Sequence, residues 1–153
     1  MQTLAAPTAT ITLKPELLAS IAETDPETVA VRSGGFELTN RELDRWSNRV
    51  ARLLLGLGAG PDANVVIALS PSVESVVTVW AATKIGATVT TLGTDGDVHT
   101  IGRTVGVTTK AHRRTLTDKV TWLVLDDRST VVRYLAGSDA PITEADRRAA
   151  KSA

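Results

Sequence analysis

Asn64-Val65-Val66-Ile67-Ala68-Leu69 is the stretch on which the fold turns. A continuous apolar run shows no alternation that would give one face to water, so it reads as a short strand buried on both faces, central and parallel in its sheet. Before it, Pro61-Asp62 marks a turn, and Gly56-Leu57-Gly58-Ala59-Gly60 closes the preceding element. That element, Thr39 to Leu57, repeats Leu43, Trp46, Val50, Leu53, Leu54 and Leu57 at steps of three and four, an amphipathic helix. Thr39 and Glu42 have capping-box spacing, and Leu38 can pack on Leu43 as a hydrophobic staple.

After the central strand, Ser70 and Pro71 fit as the N-cap and first residue of a second helix running through Val73, Val76, Val77, Trp80 and Ala81 to a stop at Gly86. Its β-branched residues favour a strand locally, and length, cap and spacing decide for the helix. Ala87 to Leu92, Val105 to Thr109 and Val120 to Leu125 are further strand candidates. Gly93 to Gly106 reads as loop or short helix, and Lys110 to Lys119 as a polar, basic separator. A helix is expected from Asp127 or Ser129 to Leu135, and the charged, Ala-rich chain from Thr143 is one more helix or a frayed end. Upstream, Pro15 to Ala22 is helical in spacing, and Val29–Val31 and Phe36–Leu38 flank Ser33-Gly34-Gly35 as a small hairpin. Strands alternating with helices at this spacing predict a three-layer α/β domain whose mostly parallel sheet is flanked by helices.

The 153 residues suffice for one core. Seventeen Lys and Arg balance seventeen Asp and Glu, so no long-range field draws the chain to nucleic acid or to an anionic membrane. Without cysteine there is no disulfide, thiolate nucleophile or Cys-based zinc site, and His99 and His112 cannot form a His-only metal cage. No stretch approaches the roughly 20 apolar residues that span a bilayer, and residues 1–12 lack a signal-peptide pattern. The expectation is a cytoplasmic protein with no resident metal, no nucleic-acid partner and no membrane partner.

Several features invite chemistry and have plainer accounts. The glycines at 56, 58 and 60 follow a helix and precede a strand, the reverse of a dinucleotide-binding turn, so they read as helix termination. Lys110, His112, Arg113, Arg114 and Lys119 lack interleaved aromatics and read as a solvated face. His99 near Asp95 and Asp97 has neither nucleophile nor third ligand. Asp126 and Asp127, adjacent at a strand end, point apart, and Asp127 suits a helix cap. Trp46, Trp80 and Trp122 are expected to pack in the core.

Read in order, Asp25 to Val31, Leu38-Thr39-Asn40-Arg41-Glu42-Leu43, Asn48 to Leu53, Gly58-Ala59-Gly60-Pro61 and Lys84-Ile85-Gly86-Ala87-Thr88 resemble the opening of an adenylate-forming enzyme, specifically the amino-acid adenylation domain of nonribosomal peptide synthetases. Val107-Thr108-Thr109, Trp122 to Asp126 and Pro141-Ile142-Thr143 extend the likeness, which runs from about Pro15 to Arg147. The resemblance implies that Leu38, Thr39, Glu42 and Leu43 (first core motif) and Lys84, Gly86, Ala87 and Leu92 (second) are structural. Asn40 stands where the first motif has tyrosine, and Val89, Thr91 and Gly93 replace the second motif's Tyr, Pro and Asp.

It also implies a division into a flexible segment 1–14, an adenylation-like N-terminal subdomain 15–147 and a tail 148–153. The family's phosphate loop, ribose- and magnesium-binding acids, amino-acid pocket and catalytic lysine lie beyond these motifs, and no counterpart is recognisable here. No catalytic, cofactor-binding or metal residue is therefore assigned. ATP and magnesium serve the full-length family, and none is expected for this chain alone. The expectation is a truncated or remnant adenylation domain, inactive by itself. The alternatives are a non-catalytic interaction module or one half of a split enzyme. Its partner would be a second copy or another protein, held by apolar surface that the rest of an adenylation domain normally covers.

Overall fold

The computed structural model describes residues 14–92 and 103–152. Its elements are α1 (Pro15–Thr24), β1 (Val29–Ser33), β2 (Phe36–Thr39), α2 (Asn40–Gly56), β3 (Asn64–Ile67), α3 (Val73–Lys84), β4 (Thr88–Thr91), β5 (Thr104–Thr108), α4 (Lys110–Arg113), β6 (Thr121–Val124), α5 (Arg128–Ala136) and α6 (Glu144–Ser152). β1 and β2 form the expected antiparallel hairpin, turning through Gly34 and Gly35 at positive φ. The other four strands form a parallel sheet in the order β4-β3-β5-β6, flanked by helices. The architecture is the α/β class read from the sequence.

β3 is internal and parallel to both neighbours, as its unbroken apolar run requires. Val65 and Ile67 join the core cluster with Val105, Val107 and Leu123 of β5 and β6, with Leu43, Val50, Leu54, Val77 and Ala81 of α2 and α3, and with Ile85 at the C-cap of α3. Side chains alternate across a strand, so Val66 lies on the opposite face, and it too is buried. On that second face Val66 stands in register with Gly106, and Gly106 with Trp122. The indole lies directly over Gly106: a Cβ there would be 2.2 Å from Trp122 Cε3. Trp122 Nε1 donates to the Thr117 carbonyl at 2.7 Å, which holds the ring in that position.

Both long helices end as their glycines direct. The Ala59 N–H returns to the Leu54 carbonyl and the Gly58 N–H to Leu55, with Gly58 at φ 89°, a Schellman ending. Ala87 to Ala82 and Gly86 to Thr83 repeat it on α3, with Gly86 at φ 79°. The start of α3 is a correction. Ser72, not Ser70, is the N-cap, because Ser72 and Ser75 exchange side-chain-to-backbone bonds at 3.2 and 2.9 Å and exclude residues 70–71 from the helix.

Asp127 caps α5 as read, accepting from the Ser129 N–H at 3.2 Å. β5 begins and ends one residue earlier than expected, and the basic separator forms α4 at its start. The chain from Thr143 takes the helical alternative, and α6 continues across residues 147 and 148. Asp95, Asp97, His99 and Gly93 lie outside the described residues.

Candidate functional site

The first motif builds the entrance to α2. Thr39 Oγ1 accepts from the Glu42 N–H at 3.2 Å, and Glu42 Oε1 accepts from the Thr39 N–H at 2.9 Å, a closed capping box. Leu38 and Leu43 on either side of it are both buried in the core cluster. Asn40, the departure from the motif's tyrosine, has its own task. Its Nδ2 donates to the Asp25 carbonyl and its N–H to the Thr28 carbonyl, both at 2.9 Å, tying the loop after α1 to the start of α2.

The second motif supplies a buried cation. Lys84, 4% exposed, donates from Nζ to Asp44 Oδ1 at 2.7 Å, Asn48 Oδ1 at 2.8 Å and the Asp44 carbonyl at 3.0 Å. All three donors of the ammonium are used, which is the condition for tolerating a buried charge. Burial nonetheless outweighs the hydrogen bond and charge of Asp44 and holds the Lys84 ammonium below its ordinary pKa. The node extends outward. Asn48 Nδ2 donates to the Asp139 carbonyl at 2.9 Å, and Arg147 Nε donates to the Lys84 carbonyl at 2.8 Å, capping the end of α3.

Arg49 reaches the Tyr134 and Leu135 carbonyls, and Arg52 those of Ala140 and Pro141. One polar edge of α2 thus straps the last turn of α5 and the chain between α5 and α6 onto the body of the domain. Gly86 and Ala87 finish the helix, and the Leu92 N–H donates to the Ile67 carbonyl at 2.8 Å. Among the motif residues, Thr39 and Glu42 thus cap a helix, Leu38 and Leu43 pack in the core, and Lys84 and Gly86 stand at the end of α3.

In an open parallel sheet the ligand crevice lies where the chain changes direction, outside the carboxyl ends of the strands. Here that point falls between β3 and β5. Ser70 Oγ and His112 Nε2 approach to 3.4 Å there, on the exposed side, and Thr108 Oγ1 donates to the Ala68 carbonyl at 2.9 Å. Asp126 accepts from the Lys110 N–H at 2.8 Å, so the adjacent Asp126 and Asp127 serve separate caps. In the basic run, Arg113 pairs with Asp118 at 2.6 Å. Among the described residues no group of three His, Asp or Glu side chains converges on a metal-sized site.

One concave feature among the described residues is apolar. A groove of about 160 Å³ runs between α2, α3 and α5, lined by Trp46, Val50, Val77, Leu125, Val131 and Tyr134 among others. Trp46 is a correction: it is 39% exposed at the mouth of this groove, edge-on to Tyr134 with ring centroids 6.5 Å apart. Its helical position is apolar, but α5 covers it only in part. Trp80 and Trp122 are partly buried, Trp80 against the core cluster. Burial raises the Tyr134 phenol above its ordinary pKa, and Arg49 stacks 5.5 Å from its ring centroid.

The sequence matches the model of the AMP-binding enzyme family over residues 18–121. The chain belongs to that family. Relatives within it include phosphinothricin tripeptide synthetase PhsC of Streptomyces viridochromogenes, 32% identical over 122 residues, covering 74% of this chain and 11% of PhsC. The probable non-canonical nonribosomal peptide synthetase CymA of Salinispora arenicola is 40% identical over 73 residues, covering 48% of this chain and 1% of CymA. The chain thus spans a small part of the length of these AMP-binding relatives.

Solved structures repeat the fold. The nonribosomal peptide synthetase FmoA3 (S1046A) superposes with a TM-score of 0.70 at 22% identity, covering 84% of this chain and 14% of that one. VinN in complex with 3-methylaspartate gives 0.67 at 19%, covering 85% and 40%. Among the described residues no helix is long and apolar enough to cross a membrane.

Proposed function

We propose that this chain is the scaffold layer of an amino-acid-activating member of the AMP-binding family, of the kind used in nonribosomal peptide and secondary-metabolite synthesis, and that it forms no adenylate by itself. The observation that carries the reading is the consumption of both motifs by structure. Thr39 and Glu42 cap α2, and Lys84 spends all three donors on Asp44 and Asn48, leaving none for a substrate carboxylate or a phosphate.

The family's ATP and magnesium do not fit the residues described. A phosphate cradle needs glycine-permitted N–H groups converging at a helix N-terminus. The glycines at positive φ, Gly34, Gly35, Gly58 and Gly86, stand instead in a hairpin turn and at helix C-termini. At the start of α3, Ser72 already accepts from the Ser75 N–H, and Glu74 places a carboxylate in the first turn, which disfavours an anion. The Pro-Lys-Gly that ends the phosphate loop in the family this chain resembles does not occur in these 153 residues. ATP–pyrophosphate exchange by the purified chain with each proteinogenic amino acid tests the reading: no exchange above the blank is expected, and amino-acid-dependent exchange overturns it.

A further inference from the structure

One face of the domain carries an apolar hole and apolar knobs side by side. The hole is the groove of about 160 Å³ between α2, α3 and α5. The knobs are Val131, Val132 and Leu135 of α5, 41, 57 and 67% exposed. With Arg128 they follow the spacing i, i+3, i+4, i+7, so one stripe of the helix presents three aliphatic side chains and a cation. Glu74 lines the hole from α3. Both Glu74 and Arg128 are exposed. Neither has an ion pair within the chain among the described contacts.

A surface holding both a hole and the matching knob is self-complementary about a two-fold axis, because each copy then offers what the other receives. The charges agree with that arrangement, an anion beside the hole and a cation on the knob stripe. The formal net charge of zero imposes no overall repulsion between copies. We infer that this face docks a second copy of the chain through a two-fold contact, with Val132 and Leu135 of each copy entering the groove of the other and Arg128 of each meeting Glu74 of the other.

Sedimentation velocity on the purified chain, from about 1 μM to about 300 μM, tests this over the range in which a contact of modest size associates. The expected result is a concentration-dependent monomer–dimer equilibrium. Leu135→Glu, at a side chain exposed enough to leave the fold intact by far-UV circular dichroism, should raise the midpoint at least tenfold. Glu74→Arg should weaken the dimer, and the exchanged pair Glu74→Arg with Arg128→Glu should return it to within about threefold of the parent. A monomer at every concentration overturns the inference. So does a dimer indifferent to Leu135→Glu, an assembly that grows beyond two copies, or a charge exchange that restores nothing.

Discussion

Replacing Lys84 by methionine probes the polar node where it is most constrained. The substitution keeps the length of the side chain and removes its charge and its three donors. The Asp44 carbonyl still accepts from Ser47 Oγ at 2.9 Å and is not stranded. Asn48 Oδ1 loses its partner in a buried position, a loss of about 1–3 kcal/mol. The Asp44 carboxylate loses its counter-ion. Removing one member of a fully buried pair costs about 3–5 kcal/mol, but the Asp44 side chain is 19% exposed and water recovers part of that. Together the terms give about 2–4 kcal/mol, a large share of the roughly 5–15 kcal/mol that holds a domain folded.

With a urea m-value of about 2 kcal/mol/M, the unfolding midpoint should fall by about 1–2 M, followed by circular dichroism and tryptophan fluorescence together. Burial dominates the Lys84 ammonium, so the pair does not fully repay its own desolvation. Adding Asp44→Ala to Lys84→Met should therefore recover about 1 kcal/mol or more. A midpoint within about 0.3 M of the parent for the single variant, or a double variant weaker than the single, refutes the reasoning.

Three further predictions address other parts of the fold. Gly106→Ala sets a methyl 2.2 Å from the Trp122 ring and should cost about 1–3 kcal/mol with a changed near-UV spectrum; an unchanged melting temperature counts against the stacked indole. Thr39→Ala opens the capping box and should cost about 1 kcal/mol in urea unfolding, whereas Glu37→Ala, outside the cap, should cost far less; equal effects would deny the box its role. Asp146 accepts from the Thr143 N–H and hydroxyl, which holds its carboxyl below the ordinary 3.8. A lowered folded-state pKa stabilises above 3.8 and is lost as pH falls through the folded value, so amide-exchange protection in α6 should decline in that window. In Asp146→Asn the decline should be absent; an identical pH profile in the variant sinks the assignment.

The elements most legible in the sequence are those whose local rules agree with the tertiary structure. Thr39, Glu42, Leu43 and the glycine after Leu57 specify α2 by capping, periodicity and termination at once, and its bounds follow. The unbroken Asn64–Leu69 run places β3 at the centre of a parallel sheet because no other position buries both faces. The start of α3 was harder to read. Ser70-Pro71 and Ser72 compete as caps, and the reciprocal Ser75 bond that decides between them is weaker in composition than a Glu or Gln at that position.

Trp46 sits on an apolar stripe, and its exposure depends on how far α5 reaches across α2, which no local pattern encodes. Lys84 was legible as a motif residue but not as a buried cation. Its acceptors, Asp44 and Asn48, lie 40 and 36 residues away on α2. A sequence signal does exist: Asp44 and Asn48 are four residues apart on one helical face, on a helix whose neighbour ends in a lysine after the uncharged stretch Ser75–Thr83. The apolar groove had no counterpart in the sequence reading, since α2, α3 and α5 each contribute only a few of its residues.

The central claim is that the motifs this chain shares with the AMP-binding family are scaffold, and that adenylate formation needs groups other than those described. The most direct test is ATP–pyrophosphate exchange by the purified 153-residue chain, supplied with magnesium and every proteinogenic amino acid in turn. The account predicts exchange no greater than the protein-free blank. Exchange that depends on one amino acid and co-elutes with the folded chain would contradict it.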